Sequence, residues 1–130
     1  MIGFALALLS APPVVADTTP PAAADIDREI VVIGKSLARW KGLISTKNGE
    51  MRCKTTRTTK DAEVDAIGCA AMLGCVVAIK PEMDAIAELE NIRPSDRKRR
   101  LHEKAQSVGP CMVERRDAGI AMLARNRAGL

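Results

Sequence analysis

The chain has 130 residues and a formal net charge of +4, with 47% hydrophobic but only 2% aromatic residues. One Trp, one Phe and no Tyr leave it without the stacking platforms that sugar or nucleobase recognition uses. The length suits a single domain with a thin core, which makes cross-links valuable.

The chain opens MIGFALALLSAPPVVADTTPP. Ile2 to Leu9 form an apolar run of export-signal length, and Val14 and Ala16 suit the −3 and −1 positions of a signal-peptidase site. We expect residues 1–16 to be a signal peptide cleaved after Ala16, with a second candidate site after Ala24. No Lys or Arg precedes the apolar run. A membrane span needs about 20 apolar residues, and Pro12-Pro13 interrupts this one early, so no span is expected after cleavage. Residues 17–29, rich in Pro, Ala and acid, read as a flexible leader, and residues 30–130 as one disulfide-stapled domain.

EIVVIG, β-branched and ending in Gly34, predicts a strand over Ile30 to Ile33. In ARWKGLISTKNGEMRCKTTRT, Asn48-Gly49 is the favoured pair for a two-residue type I′ hairpin turn. That turn sets Lys47 against Glu50, Thr46 against Met51, Ile44 against Cys53, Gly42 against Thr55 and Trp40 against Arg57. One face then carries Trp40, Ile44, Met51 and Cys53. The other carries Arg39, Lys41, Arg52 and Lys54, with Leu43 its one large apolar member. A slip of one residue would mix the two sets.

Next, TTKDAEVDAIGCAAML predicts a helix capped by Thr59, its first turns loaded with Asp61, Glu63 and Asp65. Gly74 is expected to end it near Leu73 and CVVAI to be a short strand, with helix through Ile79 as the alternative. Pro81 opens a second helix with Met83, Ile86 and Leu89 inward. A third, DRKRRLHEKAQSV, is capped by Ser95 and broken by Gly109-Pro110. A last one, from Cys111, puts Val113, Ile120 and Leu123 on one side. The order predicts an α+β domain of two layers: a small antiparallel sheet (strand plus β-hairpin) packed on helices through its Trp40 face, with C-terminal helices.

Four cysteines in a small exported chain predict two disulfides. No C-x-x-C occurs, and the single His102 lies among Arg and Lys, so neither a metal centre nor a thioredoxin-type site is expected. Strand and helix rise per residue bring the helix level with Cys53 near Met72, between Cys69 and Cys75. Either can reach it; the expected pairing is Cys53 with Cys75 and Cys69 with Cys111.

TTRTTKDAEVDAIGCAAM resembles the part of TonB C-terminal domains where a hairpin leads through a Ser-Ser-Gly-Asp-type turn into a helix with a spaced Asp. The matching positions are Thr58, Thr59, Asp61 and Asp65, and VAIKP falls where that family has a strand ending in Lys-Pro or Arg-Pro. The resemblance spans about residues 40–81. It lacks the Gly before the Asp and the aromatics of the later strand, and adds cysteines. It implies a hairpin-helix fold, a Gram-negative periplasmic setting and partner binding through a sheet edge. DREIVVIG is also similar to the start of the plug of TonB-dependent receptors, whose barrel this chain is too short to build. The whole chain resembles small exported four-cysteine bacterial proteins, a likeness that implies no activity.

Charge alternates in blocks. Residues 35–60 hold eight basic and one acidic residue, and 93–130 ten basic and four acidic. Residues 17–34 and 61–92 are acidic, with four acids to one base and seven to one. The hairpin's outer face and RPSDRKRRLHEK are therefore cationic surfaces able to attract phosphate, carboxylate or anionic headgroups. No nucleophile motif or phosphate loop is present, and Asp61, Glu63 and Asp65 read as helix-start acids rather than a catalytic pair. The expectation is a periplasmic, non-enzymatic binding domain without cofactor or metal. It would dock an envelope protein or anionic surface, not nucleic acid, through Arg39, Lys41, Arg52 and Lys54. A TonB-like module pairing through a sheet edge is the alternative.

Overall fold

The computed structural model describes residues 21–129; the expected signal peptide and its cleavage site at Ala16 lie outside them. The elements are α1 (Pro21–Leu37), β1 (Lys41–Lys47), β2 (Glu50–Arg57), α2 (Ala62–Ala87), α3 (Pro94–Gln106) and α4 (Gly109–Arg127). The fold is α+β, with a two-stranded antiparallel sheet, β1-β2, packed on helices.

The start of the described chain is helical throughout. Ile30 to Ile33 is not a strand but the middle of α1, and residues 21–29, expected as leader, form its first turns. Ile26, Ile30, Ile33 and Leu37 recur at helical spacing and line one side of that helix, with Ile33 and Leu37 buried. The β-branched run was a local signal, and the longer apolar period outweighs it.

The hairpin keeps the expected register from Lys47↔Glu50 through Thr46↔Met51, Ile44↔Cys53 and Gly42↔Thr55. Asn48 and Gly49 take φ of 53° and 77°, as a type I′ turn requires. The register shifts between Lys41 and Gly42, so Arg57 faces Lys41 rather than Trp40. The bulge leaves Trp40 just outside the strand, folded over Gly42. A Cβ at Gly42 would overlap the indole, and one at Gly68 of α2 would lie 2.5 Å from it. Trp40 is thus a wedge between sheet and helix, and its indole N–H donates to Thr55 Oγ1 at 3.0 Å. Around it gather Ile33, Leu37, Val64, Ile120, Leu123 and Ala124.

α2 runs unbroken through Gly74 and Pro81 to Ala87, so the expected strand at Cys75 to Ile79 and the separate helix from Pro81 are one helix. Its cap is Asp61, not Thr59: the Asp61 carboxylate accepts the backbone N–H groups of Glu63 and Val64. Ser95 does not cap α3, which starts at Pro94 after Arg93 with no side-chain cap bond. Val113 and Leu89, expected inward, are exposed, whereas Ile120 and Leu123 are buried as expected.

Both disulfides form, but with the other connectivity: Cys53–Cys69 and Cys75–Cys111. The expected pairing rests on Cys75 extending a face of Val64, Ile67 and Ala71 toward the sheet, with Cys69 pointing sideways. Instead that side of α2 meets the helices, and the sheet lies against the adjoining side, where Gly68 and Cys69 sit. The two disulfides suit an oxidising compartment, extracellular or periplasmic.

Candidate binding face

β-strand alternation gives the hairpin two unlike faces. Ile44, Met51, Cys53 and Thr55 are half-buried, Cys53 and Thr55 against Cys69 of α2, while every odd-numbered residue of β1 and every even-numbered residue of β2 is exposed. The structure therefore brings Lys41, Arg52 and Lys54 together on one open face. Arg39 is exposed in the turn between α1 and β1. Leu43 lies opposite Lys54 and is 45% exposed, an apolar centre within the cations.

Sequence reasoning had not assigned two further cations to this face. Lys47 closes the turn opposite Glu50, and the bulge delivers Arg57 opposite Lys41. Alternation alone would have paired Arg57 with Trp40. Like charges directly across a ladder destabilise a sheet, so Lys41↔Arg57 is a local cost that accompanies the bulge beside Trp40. Arg52 reaches Glu50 at 3.4 Å, an exposed contact. Among the described residues Arg39, Lys41, Lys54 and Arg57 make no ion pair.

The second basic stretch behaves differently. In α3, Arg99 pairs with Asp96 and Glu103 at 3.5 and 3.9 Å, and Lys104 pairs with Glu82 of α2. Arg97 donates to the Leu89 carbonyl at 2.6 Å. Much of that charge ties α3 to itself and to α2. His102 is exposed on the same helix.

The acidic residues at the start of α2 are also used internally. Asp65 accepts from the Thr58 hydroxyl, from the Thr59 N–H at 2.8 Å and from the Thr59 hydroxyl at 2.7 Å. These hydrogen bonds from Thr58 and Thr59 hold its carboxyl below the usual carboxylate range. Asp61 accepts from Arg127 Nη2 at 2.6 Å, which lowers the Asp61 pKa and raises that of Arg127. Arg127 stands 66 positions away, and no sequence signal links it to Asp61. This cluster fastens the end of α4 to the hairpin–α2 turn, where Lys60 adopts φ of 66°. Thr58, Thr59, Asp61 and Asp65 are thus neighbours with structural duties. Among the described residues no group of three or more His, Cys, Asp or Glu side chains is placed to hold a metal.

No family model, curated protein or solved structure matches this chain.

Proposed function

We propose that the protein is an exported, non-enzymatic binding domain of the periplasm that docks an anionic envelope component or protein through the outer face of its hairpin. The observation that carries this reading is the unneutralised cation set Arg39, Lys41, Lys54 and Arg57, with Lys41 and Arg57 held side by side at a cost to the sheet. A solvated face with no partner would gain from mixed signs, as α3 has. The signal-like start and the two disulfides support the periplasmic assignment.

The test is charge reversal of Arg39, Lys41, Arg52 and Lys54 to Glu. The wild-type protein should be retained on anionic envelope fractions at low ionic strength and released as salt screens the contact. The reversed variant should pass through. Equal retention of both would refute the reading.

A second reading, the TonB-like one, draws on the sheet itself: with only two strands among the described residues, each strand keeps an edge with no neighbour. The edges once expected at Ile30 to Ile33 and Val76 to Ile79 are helical, so pairing would use β1 or β2. Photo-crosslinkers at the exposed Ser45 or Thr46 would capture a partner under edge pairing and not under electrostatic docking.

A further inference from the structure

α2 and α4 run antiparallel, with Ile67 against Gly119 and the Arg115 guanidinium against Gly74. Between them lies an open groove of about 520 Å³, lined by these two helices alone. Its walls include Ala66, Ala70, Ala118 and Met122. The apolar surface here is in excess of what the fold covers. The most apolar 18-residue window of α2 has mean hydropathy 1.9, long and apolar enough to cross a membrane by composition, yet only 22% of it is buried. Met122 is 66% exposed and Val77, farther along α2, 49%.

The charges bordering this face decide what covers it. Glu63 stands at one end, with 68% of its side chain exposed and only a 3.7 Å contact to Arg127, whose short bond goes to Asp61. Arg115 stands at the other end and makes no ion pair among the described residues. It occupies the space a side chain at residue 74 would fill, so its charge lies along α2, as Glu63's does. Glycine inside a helix is unfavourable, and here it makes room for that guanidinium. The two opposite charges are therefore about 16 Å apart along one helix, with small side chains between them.

We propose that this face is the contact surface between two copies of the chain. A twofold axis lying in the interface and crossing the groove at right angles sets the two α2 helices antiparallel. It brings Arg115 of each copy to the partner's Glu63 and covers Met122 and Ala70. A single patch with opposite charges at its two ends is self-complementary under that operation, as an isologous interface requires. The contact is separate from the cationic hairpin face and does not depend on it.

Sedimentation velocity on the oxidised chain from Asp17 onward, at low salt and up to about 100 μM, tests this. The wild type should dimerise. Arg115→Glu and Glu63→Arg should each raise the dissociation constant at least tenfold, and the double variant should recover most of the loss. Ala70→Trp, which fills the groove, should give a monomer. Far-UV circular dichroism and Trp40 fluorescence should match the wild type in every variant. A wild type that stays monomeric overturns the proposal. So does a dimer indifferent to Arg115→Glu and Ala70→Trp, or a double variant no better than the singles. Flotation with neutral phosphatidylcholine vesicles, lost in Ala70→Trp and without self-association, would assign the face to a bilayer instead.

Discussion

The two halves of α2 are held by different means. The N-terminal half is held by shape on the side away from the groove: Trp40 is wedged against Gly68, α1 and α4 contribute Ile33, Leu37, Ile120 and Leu123, and Val64 is buried among them. The C-terminal half has little of this. Beyond Cys75 no residue of α2 is buried, and α3, which packs against it, buries none. What holds that end is the Cys75–Cys111 bond together with Lys104–Glu82 and the Arg97 bond to the Leu89 carbonyl. Burying an indole is worth about 4 to 6 kcal/mol in transfer free energy, far more than exposed ion pairs give. Where a short chain leaves a helix without elements to pack over its apolar side chains, a covalent bond does the same work by restricting the unfolded chain.

Removing each disulfide would test that contrast most severely. Cys75 and Cys111 enclose a separation of 36 residues, so Cys75→Ser with Cys111→Ser should cost about 4 kcal/mol by loop-closure entropy. Hydrogen exchange should then show the amides of α3 losing protection while those of α1 and the hairpin stay slow. Cys53 and Cys69 are 16 apart, and their removal should cost about 3 kcal/mol without that local opening, since Trp40 still fills the junction. If α3 stays protected in the first variant, the cross-link is not what holds that end.

Gly68→Ala probes the other half. An exposed helix gains about 1 kcal/mol from this change, but here the methyl meets the indole. Overpacking set against that gain should leave a net loss of up to about 2 kcal/mol in urea unfolding, with a shifted Trp40 emission. A stabilised variant would show that the ring is not pinned.

The smallest effect expected is acid sensitivity at the turn joining the two regions. Asp61 and Asp65 both have pKa values lowered from a reference of 3.8. A depressed carboxyl contributes stability above its unfolded-state pKa and loses it as pH falls through the folded-state value. The urea midpoint should therefore be flat near neutrality and fall below about pH 4, and Asp65→Asn should flatten that acid limb. An unchanged acid limb would mean that the threonine bonds to Asp65 do not stabilise the folded state.

Legibility followed the range of the interactions. The hairpin register was readable because its turn residues and its two-residue alternation report the same local geometry. The cationic face was legible for the same reason, apart from Lys47, which the same alternation places there, and Arg57, whose place depends on a bulge beside Trp40. The α+β class and the presence of two disulfides were readable from pattern and cysteine count. Ile30 to Ile33 misled because four β-branched residues fit a strand or a helix, and only packing against α4 chooses. Gly74 and Pro81 read as helix stops because each disfavours helix locally, yet α2 continues where Arg115 packs on Gly74 and Cys75 is bonded to Cys111.

By itself the sequence determined the hairpin, its polar and apolar faces, the acidic start of α2 and the helical C-terminal third, all of which depend on neighbours a few positions apart. Only the tertiary structure decided which sulfur meets which, which side of α2 lies against the sheet, and that Arg127 closes on Asp61. Those outcomes depend on how whole elements rotate to bury one indole between two glycines, and no spacing along the chain encodes that rotation.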